Sequence, residues 1–442
     1  MEDTALLTDL YELTMAAAYF ENRHLGTATF ELFVRRLPPR RGYLLAAGLE
    51  QALEYLEGLA FTPPQIDFLR RHPAFAKVSE EFFHYLSRLR FTGEVWAVAE
   101  GTPVFANQPL LRVTAPIIEA QIVETFLLTT LTFQTMIATK AARVVASAAG
   151  RPVAEFGSRR AHGPLAGLLA ARAAYIGGCA GTANVDAHFR FGVPSFGTLA
   201  HSFVMAYDDE LESFREFARV FPEHSVLLLD TYNSLHAVDK IIAAGLRPYG
   251  VRLDSGNLAE LSKQVRERLD RAGLHATKIV ASSDLDEYVI TELLAGGARI
   301  DEFGVGTALA TSNDAPALSG VYKLVAYEGE PRVKLTEEED KASYPGSKQV
   351  FRFVEDGVYA RDIIATAAEN YAGSEPLLTC VMRDGARLAP APSVHDMRAR
   401  AVRLLAKLPP SVRDLTNPAN YRVEVSAKLK ELFAETKQRL GR

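Results

Sequence analysis

The sequence predicts an α/β protein whose central part forms an α/β barrel. From about residue 150, the chain repeats a unit of a short apolar strand, a polar or glycine-containing turn and a helix. Six such units follow one another at the spacing of βα units, which indicates a parallel sheet. Helices and strands alternate less regularly on either side. We therefore expect an N-terminal α/β domain over 1–125, the barrel over 126–316 and a C-terminal segment over 317–442.

The N-terminal part has clear local signals. Asp9 precedes an apolar stripe at helical spacing, with Glu12 three residues later, so a capped helix is expected there. The stripe consists of Leu10, Leu13, Ala17 and Phe20. Residues 27–34 alternate as a strand does, and a leucine repeat predicts a helix over 48–59. Pro63 opens a further helix, and residues 94–113 are typical of short strands separated by turns.

The barrel strands are expected to end in polar or glycine residues. The six predicted strand ends are VAEFGSRR, FGTLAHS, SVLLLDTYN, YGVRLDSGN, IVASSDLDE and DEFGVGTA. In α/β barrels the carboxyl ends of the strands form the active face. The residues at these ends are Arg159, His201, Asp230, Arg252, Asp254, Asp284, Gly304 and Gly306. Any one of them could be an ordinary surface residue, but together they predict a polar pocket of mixed charge at the barrel mouth.

Beyond residue 317 the chain returns to strand-like segments, namely VYKLVAYEG, RVKLTEE and KQVFRFVEDGVYAR. It ends in the charged, helical segment VEVSAKLKELFAETKQRLG, which fits packing or an oligomer contact.

Composition excludes several classes of protein. The net charge is −5, so no basic surface for nucleic acid is indicated. The densest basic cluster is formed by Arg35, Arg36, Arg40 and Arg41, and either a solvated loop or a place near a phosphate fits it. The two cysteines form neither a disulfide framework nor a four-cysteine metal site, which favours the cytoplasm.

Targeting and membrane segments are not expected. The acidic start MEDTALLTDL does not have the pattern of a signal peptide. The most apolar stretch, IVETFLLTTLTF, contains Glu124 and is too short to span a bilayer.

His201 is the first candidate for chemistry. A histidine in such a place is often a satisfied core residue. Here Thr198 and Ser202 accompany it at a predicted strand end, where it could act as a general base or accept a phosphoryl group. Asp230 ends the next predicted strand and could hold one ring nitrogen of His201.

Arg252 and Asp254 stand two residues apart in a predicted strand and therefore point to the same face. Arginine grips a planar carboxylate or a phosphate through two parallel hydrogen bonds. Asp254 could bind ribose hydroxyls or Mg²⁺. The alternative is an internal ion pair between strand ends.

The segment FGVGTALATS places Gly304, Gly306 and Thr307 at a strand end. Backbone N–H groups there suit a phosphate, although Gly-x-Gly is common in turns. Ser283 and Asp284 at the neighbouring strand end complete a plausible phosphate cradle. The spacings of a Walker motif, a dinucleotide fingerprint and a zinc site are not present in the sequence.

Read together, these segments resemble the nicotinate phosphoribosyltransferase family. The resemblance runs from TDLYELTMAAAYF through FVRRLPPRRGYLLAAGLEQAL, EFGSRRAHG, GTLAHSFV, LLLDTYN and VRLDSGN to FGVGTALATS and PGSKQVFR. It implies the type II phosphoribosyltransferase fold, an irregular α/β barrel with an α/β domain built from N-terminal and C-terminal segments. It also implies a homodimer with the site near the subunit boundary.

The resemblance implies roles for individual residues. Tyr11 would stack on the pyridine ring from the partner subunit, with Asp9 beside it in the TDLYELT motif and Phe156 on the other face of the ring. Arg159 and Arg252 would hold the anionic substrates, and Thr198 would contact nicotinate near Ser202. Thr307 and the glycines around it would bind the 5-phosphate of phosphoribosyl pyrophosphate.

The resemblance further implies that the pyridine nitrogen attacks the ribose as pyrophosphate leaves with Mg²⁺. ATP would be a co-substrate that phosphorylates His201 and drives the synthesis. Related nicotinamide enzymes carry an aspartate after a Gly-Thr pair, where this chain has Ala183, which favours nicotinate. The alternatives are nicotinamide or quinolinate transfer, a silent metabolite-binding relative, and a glycosidase that uses Asp230 and Asp254.

Overall fold

The computed structural model describes residues 4–335 and 343–441, and within it the chain forms two compact units. The first unit comprises Met1–Met136, Ala317–Pro392 and Arg400–Arg442. The second comprises Ile137–Pro316 and Ser393–Ala399. The first boundary thus falls inside a helix at Met136 rather than after residue 125, because the amino half of that helix packs into the core of the first unit.

The element bounds are as follows. The helices are α1 Leu10–Glu21, α2 Leu49–Gly58, α3 Pro63–Arg71, α4 Glu80–Arg88, α5 Ile117–Gln121, α6 Glu124–Ser147, α7 Pro164–Ile176, α8 Val185–Phe191, α9 His201–Met205, α10 Glu210–Val220, α11 Ser234–Ala243, α12 Leu258–Arg271, α13 Glu287–Ala295, α14 Thr307–Ala310, α15 Val394–Leu405 and α16 Ala427–Arg439. The strands are β1 Thr27–Val34, β2 Leu44–Leu45, β3 Glu94–Val98, β4 Pro103–Val104, β5 Pro109–Pro116, β6 Val153–Glu155, β7 Gly181–Thr182, β8 Val226–Leu228, β9 Gly250–Leu253, β10 Lys278–Ala281, β11 Glu302–Val305, β12 Gly320–Tyr327, β13 Glu330–Pro331, β14 Lys348–Glu355, β15 Val358–Thr366, β16 Ser374–Pro376, β17 Leu378–Arg383, β18 Ala386–Arg387 and β19 Val423–Val425.

The first unit is built on an antiparallel sheet of order β13-β12-β1-β5-β3-β17-β18. A second sheet of order β16-β14-β15-β19 and the β2–β4 pair complete its strands. The strand predicted over 27–34 is confirmed with the same bounds. This strand is buried on both faces rather than on one. Its Glu31 is buried as well and forms an ion pair with Lys348, with 2.8 Å between the charged atoms. The predicted helices over 48–59 and from Pro63, and the strands within 94–113, are also confirmed.

Helix α1 begins where predicted, but its cap differs. The Asp9 side chain makes no capping hydrogen bond and instead accepts one from the Thr125 hydroxyl at 2.8 Å. Glu12 is fully buried and accepts hydrogen bonds from Thr8 and Thr125 rather than closing a capping box. Leu10 is exposed, so its assignment to the buried stripe is wrong.

The C-terminal strands at VYKLVAYEG and KQVFRFVEDGVYAR are confirmed as β12 and as the β14–β15 hairpin. The expected strand RVKLTEE falls partly outside the described residues, and its described part, 332–335, is not in a strand. The closing helix is confirmed as α16, while the three residues VEV before it form β19.

Helices α5 and α6 together correct one expectation. The two helices together cover Ile117–Ser147, a helical region that is long and apolar enough to cross a membrane by length and composition. In this protein, 61% of the most apolar stretch of that region is buried inside the fold, as in the core helix of a globular protein.

The second unit contains the predicted parallel sheet, of order β7-β6-β11-β10-β9-β8. Five of the six predicted strands are present, with register pairs such as Val280↔Arg252 and Gly304↔Ala154. The segment FGTLAHS is wrong as a strand: the backbone N–H of Phe196 donates to the Thr182 carbonyl at 2.8 Å, but no strand forms and the segment leads into α9. The sixth strand is instead β7, whose two residues are too short to give a periodic signal.

A buried ion pair in the first unit provides a stability prediction. Arg352 donates to both oxygens of Asp362 at 2.9 and 2.7 Å, and neither side chain is exposed. Removing one partner of such a pair leaves an uncompensated buried charge. We expect Arg352→Ala to lower the free energy of unfolding by about 3–5 kcal/mol in urea denaturation.

The matched control for this prediction is Arg70→Ala, whose ion pairs with Asp67 and Glu80 are exposed. It should cost less than about 1 kcal/mol. Equal losses of unfolding free energy in the two variants would contradict the large stabilisation that we assign to the Arg352–Asp362 ion pair.

Candidate active site

Arg252 is the centre of the polar cluster at the carboxyl edge of the parallel sheet. Its guanidinium donates to the Thr198 hydroxyl at 2.7 Å, to the Ser282 hydroxyl at 2.7 Å and to Asp254 at 2.8 Å. The structure therefore brings together three elements that are far apart in sequence. The sequence allowed either a substrate-binding pair or an internal ion pair, and each interpretation applies in part. Arg252 and Asp254 form an ion pair, but the pair is still partly open to solvent.

Asp254 is held by more than the arginine. The Ser282 hydroxyl donates to its Oδ1 at 2.5 Å. Desolvation raises the pKa of Asp254, but the hydrogen bonds from Ser282 and Arg252 outweigh it and bring the pKa below its ordinary value. A carboxylate of this kind stays ionised at neutral pH and suits a site where positive charge develops.

His201 begins helix α9 and is partly exposed. Its Nδ1 lies 3.1 Å from the Thr231 hydroxyl, and its Nε2 lies 3.9 Å from Asp254 Oδ2. The expected contact with Asp230 is wrong: Asp230 Oδ2 accepts a hydrogen bond from Ser255 at 2.5 Å, and its buried Oδ1 has no hydrogen-bond partner among the described residues. Thr231 was missed although it directly follows the strand-end aspartate, because a sequence does not show which of two adjacent side chains turns inward.

Phe156 follows β6 and lies against the cluster, with its ring centroid 5.9 Å from the Arg252 guanidinium carbon. Gly304 makes room for this ring, since a Cβ there would lie 2.4 Å from two ring carbons. The close approach of this aromatic side chain therefore requires a glycine at this position. The predicted phosphate contact of Gly304 stays a prediction.

The other predicted phosphate residues lie in the loops after β10 and β11. Ser283 and Asp284 are exposed, and Ser283 has φ +131°, a conformation that is strained for a residue with a side chain. Gly306 precedes Thr307, which is exposed and begins the short helix α14. Because the two strands are neighbours in the sheet, both loops follow the same edge.

The remaining predicted residues are less engaged. Arg159 and Ser202 are exposed near the strand ends, in the middle of a short 3₁₀ helix and in the first turn of α9 respectively. Tyr11 and Asp9 belong to the first unit, where Tyr11 is 46% exposed. Partial burial raises the pKa of Tyr11, and Glu124 raises it further. The stacking role of Tyr11 stays a prediction.

The barrel interior contains a cavity of about 480 Å³ that sequence reasoning did not foresee. It adjoins the polar cluster through Phe156 and Thr198 and is otherwise lined mainly by small or apolar residues of the second unit, among them Ala154, Val226, Val280 and Phe303. Most barrels fill this space with layers of branched side chains. The cavity is therefore a largely apolar space next to the charged cluster.

No group of three or more His, Cys, Asp or Glu side chains suited to a metal ion occurs within 4–335 and 343–441. Asp230, Asp254 and Asp284 thus do not form a preassembled metal cage.

Comparison with known proteins agrees with this geometry. Residues 137–315 match the C-terminal domain of quinolinate phosphoribosyl transferase. Residues 6–132 and 369–433 match the N-terminal and C-terminal domains of nicotinate phosphoribosyltransferase. The chain is 48% identical to a nicotinate phosphoribosyltransferase of Mycobacterium tuberculosis over 96% of its own length and 92% of the relative's.

Further relatives give the same result. A nicotinate phosphoribosyltransferase of Bacillus subtilis is 45% identical over 80% of this chain and 74% of its own. The crystal structure of human nicotinic acid phosphoribosyltransferase superposes with a TM-score of 0.86 at 31% identity, covering 97% of this chain and all of that one. Nicotinate-nucleotide pyrophosphorylase from Pyrococcus furiosus superposes with a TM-score of 0.76 at 25% identity, covering 92% and 97%.

The fold and the strand-end cluster thus define a phosphoribosyltransferase of the type whose barrel also occurs in quinolinate enzymes. The particular family within this class follows from two findings: the matched domains on either side of the barrel and the relatives that match nearly the whole chain. The chain belongs to the nicotinate phosphoribosyltransferase family.

Proposed function

We propose that this protein transfers the phosphoribosyl group of 5-phosphoribosyl 1-pyrophosphate to nicotinate, forming nicotinate mononucleotide and pyrophosphate for NAD biosynthesis. The observation that carries the proposal is the Arg252 cluster beside Phe156. It offers a cation for an anionic substrate, an ionised carboxylate for a developing sugar cation and an aromatic face for the pyridine ring.

In the proposed transfer, the pyridine nitrogen donates its electron pair to the anomeric carbon, and the bond to pyrophosphate breaks with its electrons on the leaving oxygen. Asp254 stabilises the positive charge that develops on the ribose or accepts from its hydroxyls. Arg252 and Arg159 hold anionic groups, and Thr198 and Ser202 contribute hydroxyls near the base. Ser283, Asp284, Gly306 and Thr307 lie on the strand-end loops that would hold the ribose phosphate.

The coupling to ATP is assigned to His201. Its Nδ1 is engaged by Thr231, which leaves Nε2 as the nitrogen that takes the γ-phosphoryl group while ADP leaves. Hydrolysis of the phosphohistidine would then drive synthesis forward. His201 is 43% exposed, so a nucleotide can reach it.

Mg²⁺ fits the site as a companion of the phosphates. The unpartnered Oδ1 of Asp230 and the ionised Asp254 are the oxygens of this chain best suited to it. When bound, the ion would neutralise charge on the departing pyrophosphate.

We further propose a cytoplasmic homodimer. Leu7, Leu10 and Tyr11 are about half exposed near the start of the chain, and Val185 and Phe189 are more exposed on α8. Such apolar surface fits a subunit contact. The free thiols of Cys179 and Cys380 fit a reducing compartment. Light scattering would report the mass, and a monomer would refute the dimer.

The choice of base provides a second testable prediction. Ala183 follows the Gly181–Thr182 strand and is exposed at its end. An aspartate there would repel a carboxylate, so we expect Ala183→Asp to raise the KM for nicotinate by about tenfold or more and to increase use of nicotinamide. Ala183→Asn is the matched control, because it adds the same bulk without charge. An equal rise in KM in both variants would point to bulk rather than charge.

The test of the function is product formation from nicotinate, phosphoribosyl pyrophosphate and Mg²⁺, with and without ATP, beside a parallel nicotinamide reaction. Nicotinate mononucleotide that increases with ATP would support both the activity and its coupling. No product from either base, with nicotinate still bound, would instead indicate a silent metabolite-binding relative.

A further inference from the structure

A fully buried carboxylate, that of Glu155, immediately precedes Phe156 in the chain. Glu155 is the last residue of β6 and has no exposed surface. One of its oxygens accepts from the backbone N–H of Gly157, and the other accepts from the Thr182 hydroxyl at 2.6 Å. Burial raises the pKa of Glu155, and the hydrogen bonds from Thr182 and Gly157 oppose that rise.

The hydrogen bonds continue from Thr182 into a closed network. The Thr182 hydroxyl also accepts from the backbone N–H of Asn184 at 3.0 Å. The Asn184 side chain donates to the Ser158 hydroxyl at 3.1 Å, which returns the network to the loop after β6. The backbone N–H of Ala183 donates to the Glu155 carbonyl at 2.9 Å.

This network fixes two short loops at the carboxyl edge of the sheet. One loop contains Phe156, which packs over Gly304 and faces the Arg252 guanidinium. The other contains Ala183, the residue whose small neutral side chain fits a carboxylate-bearing base. The β6 and β7 strands that carry the loops pair for only two residues, so their backbone pairing alone holds the loops weakly.

We propose that Glu155 and Thr182 are positioning residues that hold the two walls of the pyridine pocket, Phe156 and Ala183, at the spacing that nicotinate requires. The inference rests on the proposed function and deepens it. Both groups that meet Glu155 are donors, so an ionised carboxylate satisfies them together, whereas the amide of a glutamine would turn an NH₂ group toward one of them. Neither residue contacts the reacting atoms in this assignment.

The test compares two buried threonines of the same barrel. Thr182→Val removes the hydroxyl at the carboxyl edge. Thr277→Val removes an equally buried hydroxyl just before β10, at the amino edge, where it donates to the Pro248 carbonyl at 3.1 Å. Thr182→Ser retains the hydroxyl, and Glu155→Gln retains the shape of the carboxylate.

For Thr182→Val we expect the KM and the Kd for nicotinate to rise about tenfold or more, the KM for phosphoribosyl pyrophosphate to stay within about twofold, and the preference for nicotinate over nicotinamide to fall. Glu155→Gln should shift the same quantities in the same direction. Thr182→Ser should keep the wild-type KM and Kd for nicotinate and the wild-type base preference. Thr277→Val should also leave these quantities unchanged, even if it lowers the melting temperature.

An unchanged nicotinate KM and base preference in Thr182→Val, or an equal change in Thr277→Val, would overturn the positioning role. If Thr182→Val does not fold, the same quantities in Glu155→Gln decide, and wild-type values there would overturn the role. The wild type reports separately on the proposed function: product from nicotinate supports it, whatever the variants do. A wild type that neither converts nor binds nicotinate would overturn both.

Discussion

Arg252→Ala is expected to reduce kcat/KM for nicotinate on the order of 10² to 10³-fold. The guanidinium joins Thr198, Ser282 and Asp254 through three charged hydrogen bonds and is only 11% exposed. Its removal would take away the cation proposed to face the substrate and leave Asp254 partly buried without its main partner. Steady-state kinetics with nicotinate varied would measure the loss.

The matched control for this prediction is Arg266→Ala. Arg266 is similarly shielded, at 13% exposure, but it bonds the carbonyls of Leu274 and Thr277, before β10 and away from the cluster. It should alter stability without altering the KM for nicotinate. An unchanged KM in Arg252→Ala, in a folded protein, would refute the substrate contact of Arg252.

His201→Ala is expected to abolish the stimulation of synthesis by ATP and the covalent labelling of the protein from γ-labelled ATP. Some uncoupled synthesis should remain, because Asp254 is held by Arg252 and Ser282 and lies 3.9 Å from the imidazole, so the Arg252 cluster would stay in place. The measurement is product formation with and without ATP, together with an acid-labile label on the intact chain. The loss follows from removing the only group assigned as the phosphoryl acceptor.

His188→Ala controls for a general loss of histidine. His188 lies on α8 of the same unit, where its ring bonds the Ser195 hydroxyl at 2.8 Å. It should keep both the label and the ATP effect. Unaltered ATP stimulation in His201→Ala would remove His201 from the coupling mechanism.

Sequence patterns were sufficient for the barrel because its strands are short apolar runs followed by polar or glycine residues. β6, β8, β9, β10 and β11 all follow that rule. The rule fails at FGTLAHS, which forms no strand before α9 begins, and at β7, which has only two residues. Short pairings of this kind depend on neighbouring strands and leave no periodic signal.

One contact of the site could be predicted from the sequence, whereas the contacts that support it could not. Asp254 stands two residues after Arg252, so the ion pair between them follows from the twofold period of an extended chain. The contacts of His201 with Thr231 and of Glu155 with Thr182 join residues 30 and 27 positions apart, and only the folded backbone shows them. The role of Gly304 was also inaccessible, since the ring that it admits comes from another strand.

The division of the first unit into separated stretches of chain sets an order of events during translation. Strand β1 cannot pair with β12 until about 300 further residues have been synthesised, since the pairs run from Ala28↔Tyr327 to Val34↔Gly320. At a synthesis rate of roughly 5–20 residues per second, that delay is roughly 15–60 seconds. All strands of the parallel sheet leave the ribosome earlier, since β11 ends at Val305. The nascent N-terminal segment therefore carries unpaired apolar strand edges for most of elongation, and chaperone binding should concentrate there rather than on the barrel.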